Sequence, residues 1–188
     1  MKVKQIIGLF FILLIISFSD LYGQNTRDEK PPFKERLFYG GNLGLQFGTI
    51  TDIEISPLIG IWVLPRIGIA AGPSYRYYKD PIDRTSIYGG ITYIQFIFLQ
   101  DLNNIIPLGL HAGLFLQAEY ELLSLESTFF KIAPYDTGRF LTGTALIGGG
   151  MSQYISQRSS LNLSLLWALN DAGYGIYSNP EIRITFIF

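Results

Sequence analysis

Apolar and polar side chains alternate with a period of two along most of the chain, which predicts β-strands and not helices. The first unit, 39–47, sets Tyr39, Leu43, Leu45 and Phe47 against Asn42, Gly44 and Gln46. A second, 53–63, opposes Ile53, Ile55, Ile59, Ile61 and Val63 to Asp52, Glu54 and Ser56. In the third, 66–78, Ile67, Ile69, Tyr75 and Tyr77 face away from Gly68, Gly72, Ser74 and Arg76. The fourth, 87–100, is apolar on both faces, and the side carrying Gln95 is taken as inward. The fifth, 108–121, is the clearest: Leu108, Leu110, Ala112, Leu114, Leu116, Ala118 and Tyr120 alternate with Gly109, His111, Gly113, Phe115, Gln117, Glu119 and Glu121. A helix would scatter those residues around its circumference. Units at 140–154, 161–170 and 181–188 follow. In the last, Ile182, Ile184, Phe186 and Phe188 share one face and Glu181, Arg183 and Thr185 the other.

About eight strands of this kind predict an all-β fold, an antiparallel up-and-down transmembrane β-barrel. The apolar face suits lipid and the polar face a lumen. A soluble lipocalin-like barrel would reverse the faces and expose many Lys and Glu, whereas the polar face here is built mainly of Gly, Ser, Thr, Asn and Gln. Aromatics near strand ends fit interfacial girdles, with Tyr75, Tyr77, Tyr120 and Trp167 at the outer level and Tyr39, Phe186 and Phe188 at the inner. The alternating segment that ends on Phe188 also reads as a C-terminal assembly signal, carried by Phe186 and Phe188.

Connection lengths supply a second test. With both termini periplasmic, the outer connections run through 49–51, 79–86, 125–139 and 171–179, and the periplasmic ones through 64–65, 101–106 and 155–159. Short periplasmic turns and longer outer loops are the known asymmetry of such barrels. The hairpin near Thr49 departs from it.

The amino-terminal segment agrees with export. Lys2 and Lys4 precede an apolar run over 6–18 that is too short to span a bilayer as a helix, and Leu21-Tyr22-Gly23 offers a small residue before Gln24. The expected organisation is a signal peptide at 1–23, a periplasmic lead-in at 24–37 with Pro31-Pro32, and the barrel at 38–188. Absence of cysteine removes a lipid-attachment thiol, disulfides and thiolate metal sites. A net charge of −1 leaves no basic footprint for nucleic acid.

Candidate chemistry is confined to polar positions of the inward face. Glu54, Arg76, Glu119, Glu121 and Arg183, with Asp52 and Glu181 beside them, are expected to form a structural network of paired charges filling the lumen. His111, the sole histidine, is placed inside the barrel near its periplasmic end, away from the rim position that acyl chemistry on a membrane barrel would require. No catalytic residue, cofactor or metal ligand set is expected. Gly148-Gly149-Gly150 lacks the Lys-Ser/Thr of a phosphate loop and lies in a strand, where glycine permits curvature or close packing.

The residues Ile55-Ser56-Pro57, Gly60, Val63, Pro65-Arg66, Ile69, Gly72 and Tyr75-Arg76-Tyr77-Tyr78 resemble the second hairpin of small outer-membrane β-barrel proteins common in Bacteroidetes. Tyr88-Gly89-Gly90, Glu119-Tyr120-Glu121, Gly148-Gly149-Gly150 and Asn170-Asp171 look like the same group, and Gly23-Gln24 looks like its signal junction. The resemblance covers most of the mature chain and implies a porin-like or small-barrel superfamily member. Its motifs are architectural and carry no catalytic signature.

The function expected is an integral outer-membrane protein with a structural or interaction role. Its partners would be outer-membrane lipid, the barrel-assembly machinery during biogenesis, and an envelope protein reached through the outer loops, above all 125–139 with Phe129, Phe130 and Tyr135. Two alternatives stay open: a transport barrel for small or hydrophobic solutes, and a subunit of an envelope secretion or assembly complex.

Overall fold

A computed structural model describes residues 31–46, 51–107, 109, 111–130, 138–156, 158–170, 174–177 and 179–188. The expected signal segment and most of the lead-in lie outside the described residues, as do Phe47, Leu108, Leu110, Tyr135 and Asp171. One helical turn, α1 (Phe33–Arg36), precedes eight strands: β1 (Leu37–Gln46), β2 (Thr51–Leu64), β3 (Ile67–Lys79), β4 (Arg84–Leu99), β5 (Ala112–Glu126), β6 (Arg139–Tyr154), β7 (Ser160–Ala168) and β8 (Glu181–Ile187). Each pairs antiparallel with its neighbours in chain order, and β8 returns to β1 to close the barrel. This is the up-and-down barrel that the alternation predicts.

Closure rests on a short seam. Gly40, Gly41, Asn42 and Leu43 register with Ile187, Phe186, Thr185 and Ile184. Reciprocal backbone bonds between Tyr39 and Phe188, at 3.0 and 2.7 Å, extend it at one end. By contrast β5 and β6 stay in register from Ala112↔Gln153 to Glu126↔Arg139. Register shifts interrupt β2–β3 at Trp62/Leu64 and β4–β5 at Ile97/Leu99, both at the end where β1 begins. Such irregularities bend and twist a strand, which a small barrel requires to close.

Burial follows the period of two. In β8, Glu181, Arg183, Thr185 and Ile187 are buried while Ile182, Ile184 and Phe186 are exposed. β4 turns inward the face that carries Gln95, and Ile87, Ile91, Tyr93 and Ile97 accompany it. The lumen is therefore not wholly polar. Phe38, Leu58, Ala70, Ile91, Tyr93 and Ile187, with Trp62 packed against them, form one apolar cluster towards the end where β1 begins and β8 finishes. Ile87, Leu123, Leu125, Leu146, Leu166, Ile176 and Tyr177 form another towards the opposite end. Glycine admits close strand approach in β6, where a Cβ on Gly149 would lie 2.7 Å from the Phe115 carbonyl oxygen and one on Gly148 would overlap that of Leu165.

The loop expectations need correction. β5 runs on to Glu126 and β6 starts at Arg139, so the β5–β6 connection is 127–138. At the opposite end the β4–β5 connection spans 100–111, longer than the 80–83 link between β3 and β4, and the expected length asymmetry is only partial. The longer link is organised by a 3₁₀ turn, Leu102–Asn104, whose Asn103 N–H donates to the preceding Asp101. Phe129 and Phe130 are half-buried and not free at a loop tip: Phe130 packs edge-on to Phe140 and Tyr174, and Phe129 onto Tyr78.

Candidate functional site

Inward alternation in β2, β3, β5 and β8 brings Asp52, Glu54, Arg76, Glu119, Glu121, Glu181 and Arg183 into one buried constellation. Two guanidinium groups organise it. Arg76 Nε donates to Asp52 Oδ1 and Oδ2 at 2.8 and 2.7 Å, and its Nη2 donates to Glu181 Oε1 at 3.2 Å. Nη1 lies 4.0 Å from Glu54 Oε2, too far for a hydrogen bond. Arg183 Nη1 donates to Glu119 Oε1 at 2.5 Å and lies 3.7 Å from Glu54 Oε1, while Nη2 donates to Glu121 Oε1. Glu54 thus stands between the two arginines and joins their clusters.

Neutral groups complete the partners. Gln117 Nε2 donates to Glu119 Oε2 at 2.9 Å, and Ser56 Oγ is 3.2 Å from Glu54 Oε1 and 2.9 Å from Ser74 Oγ. Tyr177 reaches in from the β7–β8 connection: its hydroxyl donates to Glu121 Oε2 at 2.6 Å, and its ring lies 5.8 Å from the Arg76 guanidinium carbon. Alternation does not reveal this tyrosine, because it belongs to a connection and not to a strand. Its only sequence-level signal is the apolar pair Ile176-Tyr177 inside a polar loop.

Asp52 and Arg76 can pair within the β2–β3 hairpin, but Glu119, Glu121, Glu181 and Arg183 find their partners only when β5 and β8 are also in place, so the network couples formation of the interior to closure of the barrel. A charge taken out of water costs several kcal/mol unless it is paired and hydrogen-bonded, about 3–5 kcal/mol being lost when one partner is removed. Among the described residues no group of three or more His, Cys, Asp or Glu side chains is arranged to hold a metal ion. Arg76 supplies a local reason, since its guanidinium occupies the space between Asp52, Glu54 and Glu181.

A cavity of about 220 Å³ adjoins the network and is lined by Gly44, Leu45, Asp52, Glu54, Arg76, Glu181 and Ile182. It lies where the pairing of β1 with β8 stops at Leu43↔Ile184. A groove on the outer surface is lined by Phe33, Leu37, Ile59, Gly60, Ile61, Ile69, Ala70, Ala71 and Thr92.

His111 departs from expectation. Its side chain is two-thirds exposed just before β5, outside the lumen, with Nδ1 2.8 Å from Asp101 Oδ2. Asp101 Oδ1 accepts from Asn103 N at 2.9 Å, and Asn103 Oδ1 accepts from Gly109 N at 2.8 Å, where Gly109 takes a left-handed φ of 71°. The alternation stops being a guide here because residue 111 precedes the strand and its direction is set by the turn. Bonding to His111 first, and to the Asn103 amide second, holds the Asp101 carboxyl below the usual aspartate value. The arrangement staples a turn.

Phe186 is outward on β8, and Phe188 is exposed beyond it, its backbone paired with Tyr39 across the seam. Comparison with known proteins adds no identity to this geometry: no protein-family model matches the chain, and no curated protein matches it.

Proposed function

We propose that the chain is an integral outer-membrane β-barrel protein of the small Bacteroidetes type, non-enzymatic, with a structural or interaction role and a lumen filled by side chains. The observation that carries this reading is an inverted distribution of polarity. Large apolar side chains such as Leu45, Ile55, Ile69, Ile94, Leu116, Ile147, Leu163 and Ile182 are exposed around the outside, while the charged residues named above are buried within. An apolar belt that reaches all eight strands suits a hydrocarbon environment better than water, since soluble monomers rarely expose contiguous apolar patches above a few hundred Å². Strands β2 to β6 have 13 to 16 residues, longer than the roughly 9–11 that a tilted strand needs to cross a bilayer. Exposed Tyr75, Tyr88, Tyr120 and Trp167 fit one interfacial girdle, and Tyr39 and Phe188 the other.

The paired interior favours a structural role over open conduction. Contact with an envelope partner would fall to the connections at the end that carries 80–83, 127–138 and 169–180, where Ile82 is 92% exposed. Fractionation tests the placement. The mature protein should sediment with outer membranes and migrate faster on a gel before boiling than after it. Recovery as a soluble secreted protein would reject the proposal.

A further inference from the structure

The apolar outside of the barrel is interrupted by the groove that Phe33 borders, about 290 Å³ in volume. Strand register explains it. Ile59, Ala71 and Thr92 stand side by side on β2, β3 and β4, and Ile61, Ile69 and Ile94 form the next row towards the end where β1 begins. Ala71 and Thr92 are short where their neighbours are bulky, so they form a floor, and Phe33 and Leu37 add a wall from α1 and the start of β1. Thr92 does not make that floor polar, because its hydroxyl donates to the Ala70 carbonyl oxygen at 3.1 Å. From β1 to β4 the groove crosses three strand spacings, about 14 Å in all. A long apolar trench of this kind fits an extended hydrocarbon chain better than a compact solute.

A second observation, independent of shape, concerns charge at that end. Lys34, Arg36, Arg66 and Arg158 stand there against Glu35 and Asp101 among the described residues, and Asp101 is already engaged by His111. Lys34 adjoins Phe33 in α1, and Arg66 lies in the β2–β3 turn three residues before Ile69, about 10 Å along the strand. Both are exposed, and neither enters an ion pair. Long cationic side chains at a membrane surface lay their stems on apolar ground and keep their heads in the polar layer, where they meet lipid phosphate. The chain's own preceding segment does not suit the groove, since residues 24–30 include no aliphatic or aromatic side chain.

We propose that the groove holds an acyl chain of one anionic phospholipid, whose phosphate is met by Lys34 and Arg66. The inference rests on the outer-membrane reading, which supplies the lipid, and adds to it a preferred lipid class and a place on the barrel wall. Ordinary boundary lipid would fill the same groove without regard to headgroup. The two cations are what make the site selective.

Native mass spectrometry of the mature protein released from detergent micelles tests it. Titrated with dioleoyl phosphatidylglycerol, the barrel should saturate at one retained lipid. Dioleoyl phosphatidylcholine, with the same chains and no net charge, should bind at least several-fold more weakly, and glycerol phosphate, a head without the chains, should not bind. Ala71→Phe, which fills the floor of the groove and leaves every charge in place, should weaken phosphatidylglycerol binding by tenfold or more. Lys34→Gln combined with Arg66→Gln should weaken it several-fold, whereas Leu163→Phe on the outer face of β7 should change nothing. Equal retention of the two lipids, no saturable retention, unchanged binding in a folded Ala71→Phe protein, or dimers in place of lipid that Ala71→Phe dissociates would each overturn the proposal. The lipid comparison uses the unaltered chain, so it decides the matter even if a variant fails to fold. Fractionation reads the placement separately: a barrel that sediments with outer membranes yet shows no lipid preference loses this inference and keeps that reading.

Discussion

Arg183 holds Glu119 and Glu121 directly and approaches Glu54, so three carboxylates from two other strands depend on one side chain that is 2% exposed. Arg183→Met should lower unfolding free energy by about 3–5 kcal/mol, because the carboxylates left behind stay buried. Arg76→Met should cost a similar amount through Asp52 and Glu181. Tyr177→Phe removes one hydroxyl from Glu121 and should cost less, about 1–3 kcal/mol. Denaturant titrations in detergent measure all three, and unchanged stability of both arginine variants would mean that these side chains reach solvent. His111→Ala should have far less effect, since its ring is exposed on a turn. Asp101 gives that turn a pH dependence of known sign. Its folded value lies below the ordinary aspartate value, so the stabilisation is present above that ordinary value and is lost as pH falls through the lowered folded one. Protection of the Asn103 amide, measured against its intrinsic exchange rate at each pH, should therefore fall in that acidic window, and Asp101→Asn should abolish that pH dependence.

Among the elements, β8 is the shortest strand and closes the ring, with four registered pairs to β1 against a full-length match of β5 with β6. Phe186 and Phe188 face outward at that seam. Replacing both with Ala should slow or prevent assembly into membranes while a substitution at exposed Ile82 in the β3–β4 connection has little effect; heat-modifiable migration of newly made protein reads the difference, and equal assembly would remove the special role given to these aromatics. The elements also differ in how legible they are. β8 and the strand part of β5 display which side faces inward, because Glu and Arg alternate with Ile, Leu and Phe. β4 does not, since Ile87, Ile91, Tyr93 and Ile97 turn inward opposite equally apolar Tyr88, Ile94, Phe96 and Phe98, and Gln95 is the one strongly polar marker in its central run. Periodicity also ends where a strand does. Hence His111 was expected in the lumen and stands outside it, and Tyr177 was expected in an outer loop and fills the interior.

The whole molecule combines apolar clusters towards both ends of the lumen with a charged network. An eight-stranded barrel has room for little more than its own side chains, which argues against an open channel. Purified protein in planar bilayers should give no stable ion conductance, and reproducible large channels would favour the transport reading instead. Much of this architecture was legible beforehand, because alternation is a local property: a residue's face in a strand depends on its parity, and the composition of the polar face, poor in Lys and Glu, then assigned that face to the inside. Strand number and antiparallel order followed from counting such segments and the turns between them. Tertiary structure alone decided which charges meet, since Arg183 and Glu121 lie far apart in the chain and are joined by the stagger between strands. It also decided that β1 and β8 part beyond Leu43↔Ile184, leaving a cavity beside the acidic side of the network. Pairing register and barrel shear are collective quantities, fixed by all eight strands together, and no single segment carries them.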